Sequence, residues 1–260
     1  MNRLTTLFQS KTSNLLNIYF TAGYPNLHDT GTIIRSLAAA GADLIEIGMP
    51  YSDPMADGET IQQSSMRALA NGMTLATLFR QVTEVRRDTQ VPLVLMGYYN
   101  QVMQYGPERF VREAKTAGVD GLILPDLPVF EYQQEFRAIA EAHDMQVTFL
   151  ITPQTSDARI REIGELSTGF LYIVSSSSIT GNSSGITEAQ KDYFARIQSF
   201  DLQQPKLIGF GISDAQSFRT ACEYANGAII GSAFIRALTA GDDVAKTTTA
   251  FVESILEPVA

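Results

Sequence analysis

Short apolar runs alternate with longer amphipathic stretches along the whole chain. Eight runs of strand length are apolar on successive positions: 15–20, 43–48, 92–97, 120–125, 146–151, 169–174, 206–211 and 227–232. Strands with this pattern are covered on both faces, as in parallel sheets. Stretches between them, such as 27–41, 107–118 and 131–142, repeat apolar residues at steps of three and four, which predicts helices. The pattern therefore predicts a series of strand–helix units.

A series of eight such units in roughly 250 residues is the usual size of a (β/α)8 TIM barrel. We therefore predict an α/β fold with a single barrel domain over residues 1–260, with additional helical material at 2–10 and two helices within 59–87. Gly41, Gly118 and Asn226 follow helix-like segments and are predicted helix C-caps. A doubly wound open sheet is the alternative, but no Gly-x-Gly-x-x-Gly motif follows the first strand.

Composition narrows the class of protein. The 260 residues include 19 basic and 28 acidic ones, which gives a net charge of −9. Nucleic acids and anionic membranes bind basic surfaces, so this charge argues against both as partners. The single cysteine, Cys222, cannot form an internal disulfide and fits a reducing compartment. The N-terminus has no apolar run of signal-peptide length, and no segment approaches a membrane span. We therefore expect a cytoplasmic protein without nucleic-acid or membrane partners.

One predicted strand, "DLIEIG", carries an acid within its apolar run. Alternation puts Ile45 and Ile47 on the outer, helix-facing side and points Glu46 into the barrel near its C-terminal mouth, where barrel active sites lie. Burial should raise the pKa of Glu46 toward the range that proton transfer near pH 7 requires. An ion pair with a barrel cation is the alternative. However, Lys206, at the start of its strand, is the only basic residue in the eight runs.

The loop after this strand contains three more acids, Asp53, Asp57 and Glu59. Asp before Pro or Gly is ordinary turn chemistry, so Asp53 and Asp57 each have a structural interpretation as well as a catalytic one. Glu59 is predicted to begin the next helix, where a carboxylate interacts favourably with the helix dipole. The pattern alone leaves open which of these acids takes part in catalysis.

A candidate phosphate site lies near the other end of the chain. "GFGIS" ends strand 7 and "GAIIGSA" ends strand 8 at the start of a helix-like segment. Barrels commonly bind phosphate at these two loops, on backbone N–H groups and a helix N-terminus. The small, polar stretch 175–185 after strand 6 suits either a mobile lid or a plain surface loop.

The residue inventory also excludes several chemistries. His28 and His143 are too few for a multi-histidine metal site. No lysine stands at the C-terminal end of a predicted strand to form a Schiff base. Cys222 lies in a helix-like run with no obvious base beside it. Acid–base chemistry by carboxylates on a phosphorylated substrate, without metal or cofactor, remains.

In these residues the sequence resembles the tryptophan synthase alpha subunit family. "IEIGMPYSDPMADGETIQ" matches the family signature around strand 2 nearly position for position. "YFTAGYP", "PLVLMGYYN", "LPDLP", "LYIVSSSSITG", "GFGIS" and "GAIIGSA" fall at matching places over essentially the whole chain. The resemblance implies retro-aldol cleavage of indole-3-glycerol phosphate to indole and glyceraldehyde 3-phosphate, in the last steps of tryptophan biosynthesis.

The resemblance also implies roles for individual residues. It makes Glu46 the general acid–base group and Asp57 its partner, which stabilises positive charge on the indole nitrogen. The implied substrate pocket consists of Tyr19, Tyr172, Thr180 and Phe210. The implied phosphate site consists of Gly181, Gly211, Gly231 and Ser232. The implied partner interface includes Asp53, Pro54, Asn100 and Pro128.

Further implications concern a partner. Members of this family dock on a pyridoxal-phosphate-dependent beta subunit in an alpha2beta2 assembly and pass indole to it through a tunnel, so no cofactor is expected in this chain. Ser176 and Ser178 stand where the family commonly has Arg and Gly in the lid, and Tyr19 replaces a frequent Phe. A stand-alone lyase, a non-catalytic activator of a beta subunit and a sister phosphate-binding isomerase are the alternative functions.

Overall fold

The computed structural model describes residues 1–55, 57–175 and 186–257. Within these ranges, eight parallel strands pair in sequence order, and β1 pairs with β8 to close a barrel. The strands are β1 (Leu15–Thr21), β2 (Leu44–Gly48), β3 (Leu93–Met96), β4 (Gly121–Ile123), β5 (Gln146–Ile151), β6 (Leu171–Val174), β7 (Lys206–Gly209) and β8 (Gly227–Ile230). The predicted TIM barrel and its predicted strands are confirmed.

Helices cover the outside of the barrel. Those in the described ranges are α1 (Arg3–Ser10), α2 (Asp29–Ala40), α3 (Glu59–Ala70), α4 (Leu75–Val85), α5 (Tyr99–Tyr105), α6 (Pro107–Ala117), α7 (Val129–Glu131), α8 (Arg137–Ala142), α9 (Asp157–Leu166), α10 (Glu188–Gln198), α11 (Ala215–Cys222), α12 (Ser232–Ala240) and α13 (Val244–Leu256), with a π-helix at Tyr132–Phe136. The additional helices predicted at 2–10 and within 59–87 are confirmed as α1, α3 and α4. None of the helices described has the length and apolar character needed to cross a membrane.

Burial follows the two-sided covering of the strands. Every residue of β1, β2, β6 and β8 is buried, because side chains fill the barrel interior and helices pack on its outside. At the N-terminal end, the buried Leu4 of α1 lies against the start of the sheet. A Cβ atom placed on Gly121 or on Gly169 would lie 3.4 Å from Leu4 Cδ2. Helix α1 therefore closes the bottom of the barrel.

Two of the predicted helix C-caps are confirmed and one is wrong. Gly41 and Gly118 cap α2 and α6 with φ of 104° and 105°, in the left-handed region that favours glycine. Asn226 caps nothing, because α11 already ends at Cys222. Its side chain instead accepts a hydrogen bond from the Lys206 backbone N–H at 2.8 Å and donates one to the Thr12 carbonyl at 2.7 Å. Asn226 therefore ties the start of β7 to the segment before β1.

Candidate active site

Glu46 lies inside the barrel, fully buried, on β2 beside Tyr19 of β1. The Asn17 side-chain amide donates a hydrogen bond to Glu46 Oε2 at 3.1 Å. Oε1 has no partner among the described residues. Burial raises the pKa of Glu46 to about 8, the Asn17 hydrogen bond lowers it, and the charge of Asp57 adds to the rise. The inward orientation and the raised pKa agree with the sequence prediction, and the partner is an amide rather than a cation.

Asp57 lies half-buried in the loop between β2 and α3. The Tyr98 hydroxyl donates a hydrogen bond to Asp57 Oδ2 at 3.2 Å, and Gln62 Nε2 donates one to the Asp57 backbone carbonyl at 2.7 Å. The Tyr51 ring stacks on the Tyr98 ring with 5.0 Å between centroids. Burial raises the pKa of Asp57 to about 6 and the Tyr98 hydrogen bond opposes the rise. This environment leaves Asp57 the more acidic of the two carboxyl groups.

Aromatic side chains surround the two carboxyl groups. Tyr19 and Tyr172 are buried, and the Tyr172 ring meets the Phe210 ring edge-to-face at 5.9 Å between centroids. Burial raises the pKa of both tyrosine hydroxyls; Asp57 is the next cause for Tyr19, and Glu46 is the next cause for Tyr172. Both hydroxyls therefore stay neutral, and the two tyrosine rings with Phe210 form an aromatic wall that carries polar tips beside the carboxyl groups.

Glycines at two strand ends make room for these tyrosines. A Cβ atom on Gly48, the last residue of β2, would overlap the Tyr19 hydroxyl. A Cβ atom on Gly209, the last residue of β7, would overlap the Tyr172 hydroxyl in the same way. The absence of a side chain at both positions lets the two rings cross the mouth of the barrel.

Backbone groups at the ends of β7 and β8 form the edge of the same mouth. Phe210 and Gly211 both have positive φ, 65° and 77°, so the chain turns sharply after β7. Helix α12 begins at Ser232, after Gly231, and no side-chain cap bonds to its first turn within the described residues. A Cβ atom on Gly231 would lie 3.3 Å from the Tyr19 ring. An uncapped helix N-terminus next to the aromatic wall is a suitable place for an anion.

Comparison with known proteins identifies the family. The family model described as Tryptophan synthase alpha chain matches residues 5–258. The chain belongs to the tryptophan synthase alpha chain family. It is 52% identical over 239 residues to the tryptophan synthase alpha chain of Flavobacterium psychrophilum, covering 92% of this chain and 94% of that one. It is 46% identical over 255 residues to that of Parabacteroides distasonis, covering 98% and 99%.

Solved structures of the tryptophan synthase family share the barrel. The tryptophan synthase complex from Pyrococcus furiosus contains a chain that is 36% identical, with a TM-score of 0.86, over 95% of this chain and 99% of that one. The aminoacrylate-bound tryptophan synthase from M. tuberculosis is 30% identical, with a TM-score of 0.85, over 98% of each chain. Family membership confirms the family predicted from the sequence, and with it a lyase of tryptophan biosynthesis.

The residues expected at a tryptophan synthase partner interface lie on the consecutive segments that follow β2, β3 and β4 at the mouth. Asp53 follows β2, Asn100 follows β3 and Pro128 follows β4, and all three are exposed. Pro54 is buried, so it shapes this loop from within. Asn100 Nδ2 donates a hydrogen bond to the Tyr51 hydroxyl at 2.9 Å, which links this edge to the tyrosine stacked beside Asp57.

Other predicted residues lie outside the described ranges or away from the mouth. Thr180 and Gly181, together with the departures Ser176 and Ser178, lie outside the described residues. Cys222 ends α11, and burial raises the pKa of its thiol to about 11, well above the range of a reactive thiol. No three His, Cys, Asp or Glu side chains in the described ranges are grouped so that they could hold a metal ion.

Sequence reasoning missed three parts of the site. Asn17 lies in an apolar run, Tyr98 in a family motif and Gly48 on the inward face of β2, and none of the three is predicted to contact a site residue from the sequence. A single polar residue within a buried strand indicates a site residue, and this signal is present at Asn17 as well as at Glu46. Tyr98 gave no such signal, because the fold alone brings the end of β3 to the β2–α3 loop.

Proposed function

We propose that this chain is the alpha subunit of a tryptophan synthase and cleaves indole-3-glycerol phosphate to indole and glyceraldehyde 3-phosphate by carboxylate acid–base catalysis. The observation that carries the proposal is the pair Glu46 and Asp57. These two carboxyl groups of one mouth have pKa values of about 8 and about 6. At neutral pH the first is mostly protonated and the second mostly ionised, so one can donate a proton while the other holds a negative charge.

Glu46 supplies and then recovers the proton. The carboxylic acid of Glu46 protonates carbon 3 of the indole, which leaves positive charge on the ring nitrogen. The ionised Glu46 then takes the proton of the hydroxyl on the adjacent side-chain carbon. That carbon becomes the aldehyde of glyceraldehyde 3-phosphate, and the electrons of the broken carbon–carbon bond return to the ring and neutralise it. The proton on carbon 3 stays with indole, and Glu46 is again protonated.

Asp57 acts on the charge that develops in between. A carboxylate held near the ring nitrogen stabilises the positive charge as it forms, and a fixed group needs little reorganisation to do so. The Tyr98 hydroxyl and the Gln62 side chain hold Asp57 from two sides. These two hydrogen bonds to Asp57 favour a single conformation of the β2–α3 loop.

The remaining residues bind the substrate. Tyr19, Tyr172 and Phe210 supply flat apolar faces for the indole, and the hydroxyls of the two tyrosines face the carboxyl groups. Gly211, Gly231 and Ser232 offer backbone N–H groups and a hydroxyl to the phosphate, with Thr180 and Gly181 completing the pocket and the phosphate site in the proposal. With the phosphate held at one side of the mouth and the indole at the other, the carbon–carbon bond to be cleaved lies beside the two acids.

The proposal extends to a partner and its cofactor. A beta subunit docks on the edge of the mouth that carries Asp53, Asn100 and Pro128, in an alpha2beta2 assembly that works in the cytoplasm. Exposed apolar side chains accompany these residues. Met103, in the same helix as Asn100, is 50% exposed, and Phe130, two residues after Pro128, is 67% exposed. The pyridoxal phosphate belongs to the beta subunit, and this chain supplies it with indole.

A cleavage assay with a matched pair of variants tests the proposal. We expect Glu46→Gln to lower indole release from indole-3-glycerol phosphate by about a hundredfold to ten-thousandfold, the usual loss for a general acid–base group. Glu59→Gln changes an exposed acid at the start of α3 and is expected to keep wild-type activity. Near-wild-type activity of Glu46→Gln would reject the assignment.

Adding a purified beta subunit separates the alternative functions. A large rate increase and a stable complex support the two-component enzyme. High activity of the isolated chain, unchanged by any beta subunit, identifies a stand-alone lyase. If neither the chain nor the complex releases indole, the chain is a non-catalytic activator and the proposed chemistry is wrong.

A further inference from the structure

Asn17 lies one layer below Glu46 inside the barrel. Asn17, Tyr19 and Thr21 share the inward face of β1, and Tyr19 pairs in register with Glu46. The two strand neighbours of Asn17 are apolar, Leu44 on β2 and Ile229 on β8. The amide therefore reaches Glu46 from the side opposite the mouth.

A buried amide at this position is costly in an apolar layer. Asn17 is fully buried, and its Oδ1 atom has no hydrogen-bond partner among the described residues. An unpaired buried acceptor lowers stability, and an apolar residue of similar volume would avoid that loss. Residues that break a local rule in this way are found at functional sites. The bond that the amide does make is the one to Glu46 Oε2, at 3.1 Å.

That bond makes the two oxygens of Glu46 unequal. Oε2 accepts a hydrogen bond from the Asn17 amide N–H, and the carbonyl oxygen of a neutral carboxyl group is a better acceptor than its hydroxyl oxygen. Oε1 is buried and has no partner in the described part of the chain. The proton of the neutral carboxyl group is therefore favoured on Oε1, which has no hydrogen-bond partner among the described residues.

We propose that Asn17 is a positioning residue for the cleavage reaction: it holds Oε2 of Glu46 from below, so that Oε1 alone donates and accepts the proton. This inference rests on the proposed function for its catalytic consequence. The hydrogen bond between Asn17 and Glu46, and the burial of both side chains, do not depend on that function.

Three other titratable side chains face Glu46 and could contribute to the pH dependence of the reaction. Asp57 faces it from the β2–α3 loop, Tyr19 from β1 and Tyr172 from β6. Both tyrosine hydroxyls have pKa values raised by burial and stay neutral through the pH range of the test. Asp57 has a pKa of about 6, so its titration is separated from that of Glu46. Removing the Asn17 donor should therefore shift the titration of Glu46 and leave that of Asp57 unchanged.

The test is the pH dependence of kcat/KM for Asn17→Leu, which keeps the branched arrangement of side-chain heavy atoms and removes the amide. We expect a loss of kcat of about tenfold or more, because the carboxyl group is no longer held in one orientation. We also expect the alkaline limb, which reports Glu46, to move to higher pH by about one unit, because a hydrogen bond that favours the ionised form is gone. The acid limb should stay in place.

Thr148→Val is the matched control. Thr148 is a buried polar residue of β5 whose hydroxyl accepts a hydrogen bond from the Phe170 backbone N–H at 3.3 Å, near the bottom of the barrel. Its loss should lower stability without moving either limb. If Asn17→Leu likewise changes only the urea midpoint and leaves the profile unchanged, Asn17 is structural and the inference is wrong.

Two measurements separate this inference from the proposed function. In a Glu46→Gln background, Asn17→Leu should cost almost nothing further in rate, because a positioning residue acts through the group it holds. A full additional loss would mean that Asn17 acts on the substrate itself and would overturn the proposal. Infrared difference spectra between the chain and its Glu46→Gln variant follow the carboxyl titration without substrate. A titration that Asn17→Leu does not move refutes the inference even if the chain cleaves nothing.

Discussion

At the scale of single residues, environment rather than residue type separates the two acids of the mouth. Glu46 is fully buried with one amide donor, whereas Asp57 is half-buried in a loop and accepts a hydrogen bond from a hydroxyl. Greater burial raises the pKa of Glu46 further, to about 8 against about 6 for Asp57. Paired titratable groups with separated pKa values are typical of acid–base sites.

These values predict a bell-shaped dependence of kcat/KM on pH. Activity should rise as pH increases through about 6, because Asp57 must be ionised to stabilise the ring cation. It should fall as pH increases through about 8, because Glu46 must be protonated to act first as an acid. Steady-state rates from pH 5 to 9.5 check both limbs, and Asp57→Asn should abolish the lower one. A single limb rising through pH 8 would mean that Glu46 starts as a base.

The residue scale also shows where sequence reasoning ends. Glu46 could be predicted, because alternation along one strand fixes the face on which a side chain lies. Its contact with Asn17 could not, because that contact depends on the register between β1 and β2, which no single strand reveals. The link between Asp57 and Tyr98 joins segments 41 residues apart and follows only from the closed barrel.

At the scale of elements, burial on both faces explains why the strands were predictable. Continuous apolar runs such as those of β6 and β8 can be recognised as strands without knowing which strands they pair with. The helix caps Gly41 and Gly118 were recognisable because glycine is favoured at a left-handed position. A polar residue before a strand can either cap the preceding helix or bond to another segment, and the sequence does not distinguish the two. Only the tertiary contacts show that Asn226 joins the start of β7 to the segment before β1.

That bridge predicts a graded loss of stability. Asn226→Ala removes the acceptor for the Lys206 N–H and the donor to the Thr12 carbonyl, so we expect the free energy of unfolding to fall by about 1–3 kcal/mol. Asn226→Asp keeps the acceptor and loses the donor, so it should lie between wild type and Asn226→Ala. Urea unfolding followed by circular dichroism measures both. Equal stability of all three chains would show that the bridge contributes nothing.

At the scale of the whole molecule, the two ends of the barrel carry different tasks. The acids, the aromatic wall and the uncapped start of α12 gather at the C-terminal mouth. At the opposite end, α1 closes the bottom and a buried ion-pair network joins it to the sheet. Asp120 binds Arg86 at 2.7 Å and Arg3 at 3.0 Å, and accepts the Leu93 backbone N–H at 2.9 Å. Barrels of this type separate stability from chemistry in this way.

This division predicts that Asp120→Ala harms stability and spares catalysis. Asp120 is 1% exposed and its partner Arg86 only 9%, so the substitution leaves a largely buried guanidinium without its carboxylate, at a cost of about 3–5 kcal/mol. Arg3→Ala is the matched control; its side chain is 34% exposed, so the loss should stay below about 1 kcal/mol. Urea unfolding measures both, and kcat and KM are compared at a temperature where each variant is folded. A fall in kcat for the folded Asp120→Ala chain would show that the bottom network also sets the geometry of Glu46 and Asp57.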